Sequence, residues 1–143
     1  MTEISFHFNV ADRAGYACRL LRKASRQRRP IAVTGPRDLL AELDRALWSF
    51  AADEFVAHSW VGDAGSVPAR LHAGTVWLAP APLDAPRHDA LVNLGSTAPH
   101  GFESFGRLIE VVSTDESDRA AARERWKGYA RRGYAITRHE AAP

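Results

Sequence analysis

Short apolar runs bounded by turn residues alternate with amphipathic stretches along the chain. This alternation restricts the fold more than any other feature. Ile4, Phe6 and Phe8 alternate with Glu3, Ser5 and His7, a period of two that predicts a strand. Asp12 stands at a capping position before a helix expected over about 13–28, with Ala14, Ala17, Cys18, Leu21 and Ala24 along one stripe. Pro30 marks its exit, and "IAVTG" reads as the next strand. Pro36 opens a second helix at a position where proline is tolerated, with a stripe of Leu39, Leu40, Leu43 and Leu47. "EFVAH" and "VPARL" carry fainter strand patterns on either side of "GDAGS"; "TVWLA", "ALVNLG" and "RLIEVV" carry plainer ones. Asp115 or Ser117 can cap a last helix through about 132, Gly133 stops it, and "YAITRH" closes the sheet. Strands and helices in this order imply an α/β fold, a three-layer sandwich with a largely parallel central sheet. The Pro-rich "APAPLDAPRHD" is short enough to be a loop, so residues 1–143 are expected to form one domain.

Charge narrows the partners. The formal net charge is only +2, yet six of the 19 Lys and Arg residues fall in 19–29 and six more in 119–134. Concentrated cations on a nearly neutral chain point to a local anionic partner rather than to general coating of nucleic acid. Cys18 is the single cysteine, which excludes an internal disulfide and a multi-cysteine zinc site and suits a reducing cytoplasm. No apolar run is long enough to span a bilayer; "TVWLAPAPL" is interrupted by Pro80 and Pro82.

Catalytic patterns are absent from the sequence. "VTGPRDLL" has the strand–glycine–helix shape of a phosphate cradle but lacks both the three glycines of a dinucleotide fingerprint and the Gly-Lys-Ser/Thr end of a P-loop. "GFESFG" places Phe102 where a nucleophile elbow requires Gly, and reads as a loop or short helical turn. The six histidines show no metal-like pairing, and His58 fits a hydrogen-bonded structural role. Neither a catalytic residue nor a cofactor is assigned; a small nucleotide-binding enzyme is the alternative to a binding protein.

The C-terminal stretch "RAAARERWKGYARRGY" carries the strongest binding pattern. On a helix, Ala122, Trp126, Tyr129 and Gly133 gather on one side, and Arg119, Arg123 and Lys127 form a neighbouring ridge at steps of four. Arg125, Arg131 and Arg132 are expected to face solvent. A cationic ridge beside an aromatic stripe suits an acidic peptide with a hydrophobic end, with Arg123 holding a terminal carboxylate. A nucleic-acid groove would need a longer track of exposed aromatics. "LDRALWSFAADEFVAHSW" clusters Trp48, Phe50, Phe55 and Trp60, as core or as an anchor for another protein.

Several stretches resemble the chi subunit of bacterial DNA polymerase III, a component associated with the clamp loader. They are "FHF", "ACRLLRKA", "LDRALWSFAADEFVAH", "ALVNLG", "LIEVV" and "ARERWKGYARRGY", in order from residue 6 to residue 134. The resemblance implies a Rossmann-like α/β domain without a dinucleotide motif, a cofactor or catalysis. It also implies binding to the acidic, apolar-ended C-terminal tail of single-stranded-DNA-binding protein, through Arg119, Arg123, Trp126 and Lys127. The psi subunit is the second implied partner, at Trp48 and Phe55. Sequence-specific contact with nucleic acid and membrane attachment are not implied. Ala57 stands where the family often has Pro, and the acidic "STDESD" precedes the basic helix.

Overall fold

The computed structural model describes residues 1–49 and 55–141. Its seven strands are β1 (Glu3–Val10), β2 (Ile31–Thr34), β3 (His58–Trp60), β4 (Val76–Leu78), β5 (Ala90–Asn93), β6 (Arg107–Ser113) and β7 (Ile136–Glu140). They form one sheet in the order β3-β4-β2-β5-β6-β1-β7. Every neighbouring pair is parallel. All the carboxyl ends therefore lie along one edge of the sheet and all the amino ends along the other.

Helices α1 (Arg13–Arg26) and α2 (Arg37–Ser49) cover one face. Cys18 and Leu21 of α1 and Leu40, Leu43 and Leu47 of α2 pack on Val33, Val92, Ile109 and Val111. Helix α3 (Glu116–Arg131) covers the β6-β1-β7 half of the opposite face, where Ala122 and Tyr129 meet Ile4, Phe6, Leu108 and Val112. Among the described residues, short 3-10 turns rather than a helix screen the rest of that face, over a fully buried Trp77 whose Nε1 donates to the His72 carbonyl at 3.0 Å. The strand alternation of β6 divides its side chains between the two cores, because successive residues point to opposite faces.

The boundaries follow local chemistry. Asp12 caps α1 by accepting from the Gly15 amide at 3.2 Å, and Asp115 caps α3 by accepting from the Asp118 amide at 3.3 Å. Gly133, at φ 83°, ends the α3 region in the left-handed conformation that glycine enters without strain. Helix α1 stops at Arg26, earlier than the expected 28: Arg28 adopts φ 53°, and the Arg28 and Arg29 amides close back on Ser25 and Ala24.

Two expected strands differ. "VPARL" is not a strand; Pro68 leads into a 3-10 turn over Ala69–Gly74, and Leu71 is exposed. Proline offers no amide to a ladder, and the turn is closed by the Thr75 hydroxyl donating to the Leu71 carbonyl at 2.8 Å. The "EFVAH" region yields strand only from His58 onward, and its first residue, like Phe50, lies outside the described residues.

Candidate functional site

The basic helix turns a different face to the core than its aromatic stripe suggests. Arg125, expected at the solvent, is buried: its side chain is 4% exposed, and Nη2 lies 3.2 Å from Oε1 of Glu110, which is 0% exposed. Arg125 Nη1 also donates to the Ser96 carbonyl at 2.7 Å. The Tyr129 hydroxyl donates to Glu110 Oε2 at 2.6 Å, and Asn93 Nδ2 donates to Oε1 at 2.9 Å. Ala122, Arg125 and Tyr129 thus form the inward stripe, and the helix rotates Trp126 to the flank. A buried carboxylate in a strand requires such partners, since an unpaired charge there would be strongly unfavourable. Burial is the main influence raising the Glu110 pKa, opposed chiefly by Arg125.

That rotation creates an open aromatic shelf on the β7 side of α3. Trp126 is half-buried, with ring centroids 5.0 Å from Phe6 and 6.1 Å from Phe8. The Arg138 guanidinium of β7 lies 4.6 Å from the Phe8 ring centroid. Parallel pairing aligns Phe6 with Arg138 and Phe8 with Glu140, so β1 and β7 bring floor and cation together across more than 120 residues of sequence. Phe8 and Arg138 were not among the residues the sequence singled out for this site; the alternation of "YAITRH" with a preceding strand was the available signal.

The three predicted cations lie along or beside this flank. Arg119 is exposed. Arg123 Nη2 is 3.0 Å from Glu116 Oε1, with side chains 54% and 75% exposed. Lys127 Nζ is 3.3 Å from Glu124 Oε1, also at the surface. Exposed pairs of this kind contribute about 1 kcal/mol or less and exchange readily for an incoming anion. Much of the acidic "STDESD" stretch is engaged internally. Asp115 caps the helix, and its carboxyl is held below the usual carboxylate range first by the Ser117 hydroxyl. Asp118 accepts from the Ser113 amide at 2.7 Å and pairs with Arg13 at 3.5 Å.

The other flank of α3 holds a separate hollow of about 430 Å³ bordered by Ala98, Ala121, Gly128 and Arg132. Arg132 is anchored there by Glu103 at 2.8 Å and lies over the Phe102 and Tyr134 rings. It is exposed, as expected, but held in place.

Trp48 and Phe55 occupy the opposite edge of the sheet. They are 64% and 70% exposed, with ring centroids 5.7 Å apart. Their support is rigid: Trp48 stands edge-on to His58 at 4.8 Å, and His58 is held between the Val56 carbonyl at 2.7 Å and Asp44 at 2.9 Å. Trp60 Nε1 donates to the same Asp44 carboxylate at 3.3 Å. His58 is thereby a structural bracket beneath an exposed aromatic pair. Ala57, at the departure from the family pattern, accepts from the Val76 amide at 2.8 Å and so starts the β3 ladder.

The cleft after "IAVTG" also exists. It encloses about 580 Å³ at the carboxyl ends of β2, β4 and β5, the position where open α/β sheets bind ligands. Neither Lys nor Arg lines it; Asp84 and His100 are its titratable neighbours, and Arg37 borders the adjoining recess instead. Among the described residues, the cleft lining therefore offers a phosphate neither a lysine nor an arginine. No helix among the described residues is long and apolar enough to cross a membrane.

Comparison with known proteins places this geometry in context. The family model for "DNA polymerase III chi subunit, HolC" matches residues 1–137. The chain is 30% identical to DNA polymerase III subunit chi of Pseudomonas aeruginosa over 144 aligned residues, covering 97% of this chain and 96% of the relative. It is 30% identical to the Haemophilus influenzae subunit chi, covering 85% and 82%, and 30% identical to that of Escherichia coli, covering 64% and 60%.

Proposed function

Because the chain belongs to the DNA polymerase III chi-subunit family, and is a non-catalytic accessory subunit of that replicase, we propose that its α3–β7 shelf receives the C-terminal tail of single-stranded-DNA-binding protein. The observation that carries this reading is the half-buried Trp126–Phe8 floor edged by exposed cations. An apolar terminal side chain would lie on the rings while Arg123 takes the terminal carboxylate. Arg119 and Lys127 would attract the preceding acidic residues, and Arg138 would close the β7 side. Charge-assisted hydrogen bonds of this kind contribute about 1.5–3 kcal/mol each, enough for Arg123 to dominate a weak peptide complex.

Trp48 and Phe55 form the second surface of the proposal, docking the psi subunit or another clamp-loader component. Exposed, preordered aromatics are typical interface anchors. Their placement at the far sheet edge lets one molecule hold both partners and so link coated single strands to the replicase in the cytoplasm.

Titration of a fluorescent acidic tail peptide by anisotropy tests the first surface. Arg123→Ala should weaken binding by about tenfold or more, whereas Trp48→Ala should leave it unchanged. Equal binding by wild type and Arg123→Ala would remove the docking assignment. Nucleotide-dependent thermal stabilisation, insensitive to Arg123→Ala, would instead favour a ligand in the carboxyl-edge cleft.

A further inference from the structure

The cations at residues 19–29 have no part in either surface above. Lys23 and Arg26 lie in the last turn of α1, where they complement the helix dipole. That explanation does not reach Arg29, which follows the helix, or Arg107, the first residue of β6. Yet Lys23, Arg29 and Arg107 line one recess of about 210 Å³ between the end of α1 and the amino ends of β2, β5 and β6. All three are exposed, and none has a carboxylate partner among the described residues.

We propose that this recess binds phosphate groups of a nucleic-acid backbone, with Lys23, Arg29 and Arg107 as its cations. The site is independent of the tail-binding reading: it lies on the α1–α2 face at the amino edge, whereas the shelf belongs to the α3 face. Gln27 adds a neutral side-chain amide at the rim. His7 forms part of the wall, and its pKa is lowered to about 4 by burial, then by His139, then by Arg107. It is therefore uncharged at neutral pH, and the cationic surroundings are left for an outside anion.

Backbone conformation supports the assignment. Arg28 takes φ 53° at the residue following the helix cap, where glycine is the usual occupant. Its left-handed conformation is strained for a residue with a side chain, and it keeps another exposed cation beside Arg29.

The recess suits a phosphodiester better than the other anions. Its volume is below the roughly 300–1,000 Å³ of small-molecule sites. Of its apolar lining, Ile31 and Ile109 are buried and Leu20, Pro30 and Ala90 half-buried, and none is aromatic, so it lacks the aromatic shelf found beside α3. His7 is the one aromatic ring lining it among the described residues, and it is part of the wall, so bases have no extended stacking platform. Binding should depend on phosphate and ignore base sequence.

Anisotropy of a short labelled oligothymidylate with the full chain at low salt tests the proposal. Three phosphate contacts on a single strand predict a slope of about −2 for log K against log salt. The double variant Arg29→Ala/Arg107→Ala should weaken binding at least tenfold and reduce the slope toward about −0.7. Arg123→Ala should leave both unchanged, separating this site from the shelf. Arg28→Gly should raise the unfolding midpoint while weakening the oligonucleotide complex. Inorganic phosphate, titrated separately by its shifts of the Arg29 and Arg107 resonances, distinguishes a free-ion site: phosphate binding without any oligonucleotide binding would overturn the nucleic-acid assignment. So would undiminished binding by the double variant, or equally tight binding of a polyglutamate peptide at the same recess.

Discussion

Arg125→Met removes the cation beneath α3 while retaining most of the side chain's apolar stem. Glu110 would then remain 0% exposed, with the Tyr129 hydroxyl and Asn93 amide as neutral donors. Deleting one member of a buried pair typically destabilises by about 3–5 kcal/mol. At roughly 2–4 °C per kcal/mol for a chain near this size, the thermal midpoint should fall by about 10 °C. The loss should depend on pH in a fixed direction. Burial already raises the Glu110 pKa, and removal of Arg125 removes the largest opposing influence. A carboxyl whose folded pKa exceeds its unfolded value favours the folded state most below the unfolded value, and that contribution disappears as pH rises through the folded pKa. The variant should therefore be less impaired at pH 4 than at pH 8 in urea titrations followed by circular dichroism, each compared with wild type at the same pH. Glu110→Gln/Arg125→Met should recover much of the stability and lose this added pH dependence. A loss below about 1 kcal/mol at pH 8, or a penalty that grows on acidification, would mean that Glu110 does not depend on the Arg125 charge.

Glu116→Gln frees Arg123 from its 3.0 Å surface partner and should tighten tail-peptide binding by about two- to fivefold in an anisotropy titration, with little effect on stability. His7 should titrate near pH 4 by NMR, because burial, His139 and Arg107 all lower its pKa; its contribution to stability is present above the unfolded value and is lost as pH falls through about 4. Arg107→Ala should raise that titration midpoint. Cys18 is buried, and burial and Asp12 push its thiol up to about 11, so alkylation at pH 8 should be slow until urea unfolds the chain.

The regular elements were legible where periodicity and caps agreed. Asp12, Asp115 and Gly133 marked helix ends by local hydrogen bonding and backbone freedom, and those requirements survive in the folded chain. "VPARL" was misleading because two apolar residues flanking a proline satisfy a short strand pattern without showing whether a neighbour accepts the ladder. The largest misreading was Arg125. A wheel centred on Trp126 and Tyr129 maximised aromatic burial, whereas the folded helix centres on Ala122, Arg125 and Tyr129 to neutralise Glu110. The clue was the acid inside "LIEVV", whose burial demanded a cation from elsewhere. Arg138 and Phe8 could not be joined from local spacing, because β1 and β7 meet through a long-range parallel pairing. Exposure of Trp48 and Phe55 likewise depended on the end of α2 projecting beside β3, with Asp44 and His58 fixing its support.

On the proposed shelf, a terminal carboxylate reaches Arg123 while its apolar side chain lies on Trp126. NMR mapping with an acidic tail peptide, in free-acid and C-terminally amidated forms, separates these two contacts. The free acid should shift the Trp126 indole and Arg123 side-chain resonances, and amidation should weaken binding at least tenfold. Equal binding of the two forms, or shifts confined to Trp48 or to the cleft beside Asn93, would contradict that placement.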